Sequence, residues 1–352
     1  MNMISLPILL QQVTQTSVPG ANVKLSALTI QGHYAYVCGS ASATVSIFDI
    51  YNPKAPVLKS QLIAGYAGAY DVAIQGKYLY VPSSGSSSLY IVDVSNPSAP
   101  NKVGTCAITG AAGALYSCVV QGNYCYISTQ NKGLTVVDVT NPALPVQVYQ
   151  EGGTLNKSFG IAINGTTLYT TNFQTATPWT VRYLKTWNIS TPTAPVLQNT
   201  YTLPANTKPL GITLSLDTAT AFVTDGNVSR IIVVDITNPL APNSLSIITP
   251  AAAFNSGNLA IVTQNQSSYL YVPSGADATH GGILECFDIT NRSSPIKVTT
   301  AYTGVANAVF GSIAMYGDNS GNYVFAADYG VAPGSTCTLD TFVNNFPGGQ
   351  GF

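Results

Sequence analysis

Residues 78–100 read YLYVPSSGSSSLYIVDVSNPSAP, and residues 124–145 restate them as YCYISTQNKGLTVVDVTNPALP. A unit repeated at a steady period cannot bury its own apolar face alone. It buries that face against the next copy, so the repeat dictates the architecture before any single residue does. Each unit is an apolar strand, a short turn, an aromatic strand, a polar loop, and a further apolar strand ending in an acid and a proline corner. The corners read YNPKAP, SNPSAP, TNPALP, STPTAP, TNPLAP and TNRSSP, and they follow Asp49, Asp93, Asp138, Asn188, Asp235 and Asp288. Successive anchors are 44, 45, 50, 47 and 53 residues apart, which is the length of a four-stranded propeller blade.

The chemistry of each segment agrees with this reading. Tyr78-Leu79-Tyr80-Val81 and Ser88-Leu89-Tyr90-Ile91-Val92 are aromatic and β-branched stretches bounded by Gly and Pro, as strands are. Gly32, Gly76, Gly122 and Gly165 precede the aromatic strands, where a tight turn needs a positive φ. Pro53, Pro97, Pro142, Pro192 and Pro239 cannot donate to a ladder and mark corners. The acid before each corner is suited to accept turn amides, so its recurrence is expected to be structural rather than catalytic.

Seven copies of the first strand are visible, ending near Ile30, Ile74, Val120, Ile163, Leu214, Val262 and Met315. The seventh copy lacks a corner and an outer strand. SLPILLQQVTQT at the N-terminus resembles the post-corner stretch APVLKSQL at 55–62. A circular array closes when one terminus completes the last blade. The expected layout is an all-β, seven-bladed propeller over residues 1–343, with strand 5–16 completing the last blade, and a Gly-rich tail at 344–352. Phe346 and Phe352 of that tail are expected to dock on an apolar groove, of this chain or of a neighbour.

The recurring cores LYIVDVSNP, LTVVDVTNP and RIIVVDITNP resemble the LVIVD-repeat β-propellers. That resemblance covers about residues 5–343 and implies a propeller of a kind widespread among bacterial and archaeal surface or secreted proteins. It implies no single activity.

Composition narrows the function classes. Charged residues are 8% of the chain, against about 25% in ordinary soluble domains. A surface of Ser, Thr, Asn, Gln, Gly and Tyr has little long-range repulsion and associates easily. The net charge of −1 gives no field to steer a nucleic acid. The apolar window 245–262 is broken by Pro250, Asn255 and Asn258, so no membrane insertion is expected. MNMISLPILLQQ has no basic segment and too short an apolar run to read as a signal peptide. The six cysteines form no C-x-x-C pair and lie mostly in strand-like stretches, so buried free thiols are expected.

Catalytic chemistry leaves little trace. His33 sits in a turn and His280 in a polar loop with no oriented triad partner. The positions expected at the mouth of the central channel are Ala27, Asp71, Ser117, Gly160, Gly211, Leu259 and Ser312, and one acid among seven does not make a metal cage. No cofactor or metal is expected. Paired tyrosines such as Tyr34/Tyr36 are expected to pack between blades. Tyr66, Tyr116, Tyr329, Trp179 and Asp71 are the better candidates for partner contact. The resulting expectation is a non-catalytic scaffold or adhesion propeller of a cell-surface, virion or extracellular assembly, with protein partners or self-association, or a glycan. The alternative is a hydrolase or lyase working at the channel mouth around Asp71.

Overall fold

A computed structural model describes residues 9–18, 25–40, 44–63, 68–110, 114–152, 157–173, 182–251, 258–264, 266–275, 282–302, 310–318, 321–328 and 337–345. The protein is all-β in these residues and consists of seven four-stranded antiparallel sheets. Blades 1 to 6 run Leu25–Ile63, Ala73–Ala107, Leu115–Gln150, Lys157–Thr202, Pro209–Ile248 and Ala260–Tyr302, each a simple meander from the innermost to the outermost strand. No helix among the described residues is long and apolar enough to cross a membrane.

The last blade closes the ring. Its three strands Phe310–Asp318, Gly321–Asp328 and Thr338–Asn345 come from the C-terminal part of the chain, and Leu9–Ser17 supplies the fourth. The register runs antiparallel from Leu9 opposite Asn345 to Ser17 opposite Thr338, with an irregularity between Gln12 and Thr14. Closure is therefore within one chain. The last strand continues through Asn344 and Asn345, past the boundary expected at 343, because these residues still pair with Leu10 and Leu9. Residues 1–8 and 346–352, including Phe346 and Phe352, lie outside the described residues.

Apolar packing sits between blades. Seven apolar clusters each join two neighbouring blades, and the cluster of Val18, Leu25, Val37, Phe48, Tyr323, Phe325 and Leu339 joins blade 7 to blade 1. Both faces of the inner strands are thus covered, which explains their near-continuous apolar runs. In the second strand, Leu79 and Val81 face blade 1 whereas Tyr80 faces blade 3. The same site holds a buried aromatic in every blade: Tyr36, Tyr80, Tyr126, Tyr169, Phe222, Tyr271 and Phe325. All six cysteines are free and buried, and burial pushes the Cys286 thiol up to about 12.

Hydrogen bonds knit successive blades at equivalent positions. Gln31 Nε2 donates to the Gly76 carbonyl at 2.6 Å, and Gln75 Nε2 donates to Gly122 at 2.8 Å, so the inner-strand end of one blade holds the turn of the next. At the rim, Ser60 Oγ donates to the Pro97 carbonyl and Ser246 Oγ to the Arg292 carbonyl, both at 2.6 Å. Blade 2 carries Gly104 at that same place, and its Cα lies so close to the Pro142 carbonyl oxygen of blade 3 that an added Cβ would sit 1.9 Å away.

The corners are double turns. Oδ1 of Asp49, Asp93, Asp138, Asn188, Asp235 and Asp288 accepts the amide two residues on, at 2.8–3.0 Å. The Asn of the corner then repeats the device one step later, as Asn96 does with the Ser98 amide at 3.1 Å. The accepting atom is an amide oxygen as readily as a carboxylate, which is why Asn188 serves in blade 4. These turn amides are exposed, so water replaces much of what a lost acceptor supplied. Asp93→Ala is accordingly expected to cost only about 0.5–1.5 kcal/mol, and Asp93→Asn less; urea titration of both variants checks this.

Candidate functional site

Among the described residues, the glycine turns and the proline corners lie on one face of the ring, and the inner strands begin on the other, here the loop face. On the loop face the inner strands begin with a register shift, between Leu25 and Ala27, Leu115 and Ser117, Ser158 and Ile161, Pro209 and Ile212, and Phe310 and Ser312. Such a bulge takes a residue out of the ladder and re-aims its side chain. The freed backbone groups are satisfied across blades. Ser128 Oγ accepts the Ser117 amide at 3.0 Å and donates to the Phe159 carbonyl at 2.5 Å. Thr171 Oγ1 accepts the Gly160 amide at 2.8 Å and donates to the Leu210 carbonyl at 2.7 Å. Buried hydroxyls thus stitch blades 3, 4 and 5 around the axis.

The positions expected at the channel mouth fall where the inner strands converge. Ala27 and Ser312 are fully buried, and Gly211 is buried. A Cβ on Gly160 would lie 2.6 Å from the Leu210 oxygen and 2.8 Å from two further backbone atoms. Small residues are needed there because backbone meets backbone.

Asp71 is the exception. It keeps partial exposure, yet its carboxylate is engaged from several sides. Ser117 Oγ and the Cys118 amide (3.1 Å) donate to Oδ2, and the Val72 amide donates to Oδ1 at 2.9 Å. The side chain of Asn258, at the start of blade 6, also hydrogen-bonds Asp71, and its Nδ2 donates to Ser312 Oγ at 3.2 Å. Blades 2, 3, 6 and 7 are thereby tied across the axis. Removal from bulk water raises the Asp71 pKa, against the opposing pull of the Ser117, Val72, Cys118 and Asn258 hydrogen bonds.

The residues one place before the channel positions form a second feature. Tyr70, Tyr116 and Phe159 follow one another on blades 2, 3 and 4. Tyr70 meets Tyr116 at a ring separation of 5.8 Å, Tyr116 stacks on Phe159 at 3.7 Å, and Phe159 stacks on Phe173 at 4.8 Å. The Lys208 ammonium stands 5.7 Å over the Phe173 ring. Tyr70 is 43% exposed, Tyr116 and Phe159 half-buried, and Phe173 buried. Of the expected contact residues, Tyr116 and Asp71 come together at this mouth, through Ser117 and Cys118, whereas Tyr66, Trp179 and Tyr329 lie outside the described residues, as does His280. Tyr70, Phe159, Phe173 and Lys208 were not singled out by sequence. The signal for Tyr70 and Phe159 lies one residue upstream of the channel positions Asp71 and Gly160, whereas Phe173 and Lys208 stand elsewhere in their units.

Nearby ion pairs are built into the fold. Lys185 Nζ lies 2.5 Å from Glu151 Oε1, both buried, and Glu151 Oε2 accepts the Leu134 amide at 3.1 Å. Arg230 pairs with buried Asp225 at 2.9 Å. Among the described residues no three His, Cys, Asp or Glu side chains gather as a metal-binding group.

Two of the corner acids, Asp93 and Asp235, titrate in the opposite sense to Asp71. Asp93 is held below the ordinary carboxylate range, first by the Ser95 hydroxyl and amide and then by Lys77, and Asp235 by the Thr237 amide and hydroxyl. A lowered folded-state pKa contributes stability above the unfolded value of about 3.9, lost as pH falls through the folded one. Asp71, raised, contributes stability below about 3.9 that is lost as pH climbs through its folded value. Thermal melts between pH 7 and pH 3 should therefore drop below about pH 4. An Asp93→Asn/Asp235→Asn protein should show a shallower drop, and an equal drop in both proteins would refute the assignment.

The LVIVD repeat family matches residues 24–62, 64–108 and 112–150. No curated protein matches the chain. Among solved structures, the Kuenenia stuttgartiensis hydrazine synthase is similar, with a TM-score of 0.64 at 14% identity over 89% of this chain and 95% of that one. At that identity the likeness is one of fold. The three matched segments correspond to blades 1, 2 and 3, so the chain is a seven-bladed β-propeller with LVIVD repeats in its first three blades.

Proposed function

We propose that the chain is a non-catalytic scaffold or adhesion propeller, working in a cell-surface, virion or extracellular assembly through protein contacts. The observation that carries this reading is a belt of exposed apolar residues at one repeated place. The first residue of the outer strand is Val57, Val146, Val196 and Ile296 in blades 1, 3, 4 and 6, and these are 57%, 58%, 60% and 64% exposed. Exposed Tyr51, Leu144 and Leu240 on the corners extend the belt. A core-facing residue would be buried there, and a solvated one has no reason to be apolar in four units. Exposed apolar residues recurring at one place of the unit support protein contact. The low charge of the chain supports it too, since little repulsion opposes close approach.

Sedimentation of the protein from its native source, beside a Val57→Ser/Val146→Ser/Val196→Ser/Ile296→Ser protein, tests the reading. The native form is expected in an assembly, and the variant should melt at the same temperature but sediment as the isolated chain. A native form that sediments alone ends this proposal. A second reading, hydrolase or lyase chemistry at the channel mouth, is favoured by the raised carboxyl of Asp71. The four hydrogen bonds on that carboxyl favour a structural role instead. Turnover of any substrate that is lost in Asp71→Asn with unchanged melting would reverse this preference.

A further inference from the structure

The interface between blades 3 and 4 buries polar groups that neither the rim belt nor the channel mouth uses. On the second and third strands of blade 4, Leu168 lies opposite Trp187, Thr170 opposite Lys185 and Asn172 opposite Tyr183. Leu168 and Trp187 pack with Tyr126, Leu134 and Val136 of blade 3, so alternation turns Thr170, Asn172 and Lys185 to that same apolar interface. Lys185 and Asn172 are diagonal neighbours there, a spacing that a long side chain bridges. They are 5% and 1% exposed. Glu151 Oε1 of blade 3 lies 2.5 Å from Lys185 Nζ, and its other oxygen accepts the Leu134 amide. Trp187 Nε1 donates to Thr170 Oγ1 at 3.1 Å, which leaves the hydroxyl hydrogen for Asn172 Oδ1 at 2.9 Å. Asn172 Nδ2 has no hydrogen-bond partner among the described residues. A buried amide with its NH2 unpaired costs stability, so packing alone does not explain it. The cluster holds instead the parts of an amide exchange: an amine, a base on that amine, a donor on the carbonyl oxygen, and an amide nitrogen that nothing retains.

We infer that Lys185 and Asn172 join in an isopeptide bond that the chain forms on itself. Glu151 takes a proton from the Lys185 ammonium, and the freed Nζ attacks Cγ of Asn172. Negative charge develops on Oδ1, where the Thr170 hydroxyl already donates, and a buried donor so placed stabilises it. Glu151 passes its proton to Nδ2, and a second proton from Nζ follows by the same carboxylate. The Cγ–Nδ2 bond breaks, the nitrogen leaves as ammonium, and Nζ and Cγ remain joined as a secondary amide. Neither oxidant nor cofactor takes part. The apolar surroundings exclude water, which would otherwise compete for Cγ. The bond closes the segment between the second and third strands of blade 4 into a covalent loop. It forms once per chain, without turnover, and does not depend on the rim belt.

The test is mass spectrometry of the full chain after tryptic digestion. Cleavage after Lys185 is expected to be lost, and peptide 158–182 is expected to appear joined to 183–230, lighter by one ammonia than the two together. Fragmentation should place the link at Asn172 and Lys185. In Glu151→Gln, which keeps an oxygen for the Leu134 amide, the peptides should come apart and cleavage after Lys185 return. Thr170→Val should form the bond at least about tenfold more slowly after cell-free synthesis, since it lacks the donor to Oδ1. Recovery of 158–182 unlinked from the native chain overturns the inference, and so does an ammonia loss traced to a cyclised asparagine within one peptide. A link that forms equally fast in Glu151→Gln overturns the proton transfer assigned to Glu151. The native digest decides by itself, so a variant that fails to fold leaves the test standing. Assembly is read by sedimentation, so a failure of the rim proposal and a failure of this bond are told apart.

Discussion

Replacing Gly104 by alanine is expected to destabilise the ring by about 2–3 kcal/mol. The added Cβ would meet the Pro142 carbonyl oxygen at 1.9 Å, with the carbonyl carbon at 3.1 Å and the Pro145 ring at 3.2 Å behind it. That oxygen belongs to the double turn at the blade 3 corner, where Asp138 and Asn141 each hold a turn amide. It has no flexible side chain to swing away. Relief requires the outer strand of blade 2 and the corner of blade 3 to part, which also loosens the apolar cluster between those blades. Gly152→Ala is the control, since nothing lies within 4 Å of its added Cβ, and surface changes of that sort stay within about 0.5 kcal/mol. Denaturant titration of the two variants decides the matter. Equal midpoints would mean that the inter-blade contact at Gly104 is looser than described.

Removal of residues 1–17 should have a larger effect, at least about 5 kcal/mol. Leu10 is buried among Ala301, Ile313, Val324 and Phe342, and burial of one such side chain is worth about 1.5–3 kcal/mol. The ladder from Leu9–Asn345 to Ser17–Thr338 adds hydrogen bonds worth about 1 kcal/mol each. Loss of the strand also leaves Thr338–Asn345 as a bare edge, which accepts other strands. The truncated chain is therefore expected to melt well below the full chain and to associate. A synthetic peptide of residues 9–17 should restore the melting temperature by strand addition. Leu10→Ala, costing about 2–5 kcal/mol, reports the apolar share alone. Truncation that alters neither melting nor sedimentation would show that the last blade does not depend on its fourth strand.

Much of this molecule was legible from its sequence because the decisive information is local and periodic. The Asp-to-Asn-Pro corner, the glycine turns with φ of 57–60° at Gly32, Gly76, Gly122 and Gly165, and the buried aromatic of each second strand recur with the unit. Recurrence gives blade number, and the apolar N-terminal strand with no partner of its own gives ring closure. A period, however, says where a residue sits within its unit and nothing about what the neighbouring unit presents to it. Gly104 and Ser60 occupy one repeat position, and only the packed rim shows that one leaves no room for a Cβ while the other donates a hydrogen bond.

The loop-face site belongs wholly to tertiary structure. Asn258 reaches Asp71 from across the ring, and Tyr116 and Phe159 stack where bulges turn them out of their ladders, between Tyr70 of blade 2 and the ladder residue Phe173. In a strand, a shift of one residue exchanges the faces. Sequence alignment placed Asp71, Ser117 and Gly160 at the axis, but the residues before them, Tyr70, Tyr116 and Phe159, form the aromatic arc. A sequence determines its repeat and the chemistry of each position. The position of one blade against the next is set by packing between side chains that lie a whole unit or more apart in the chain.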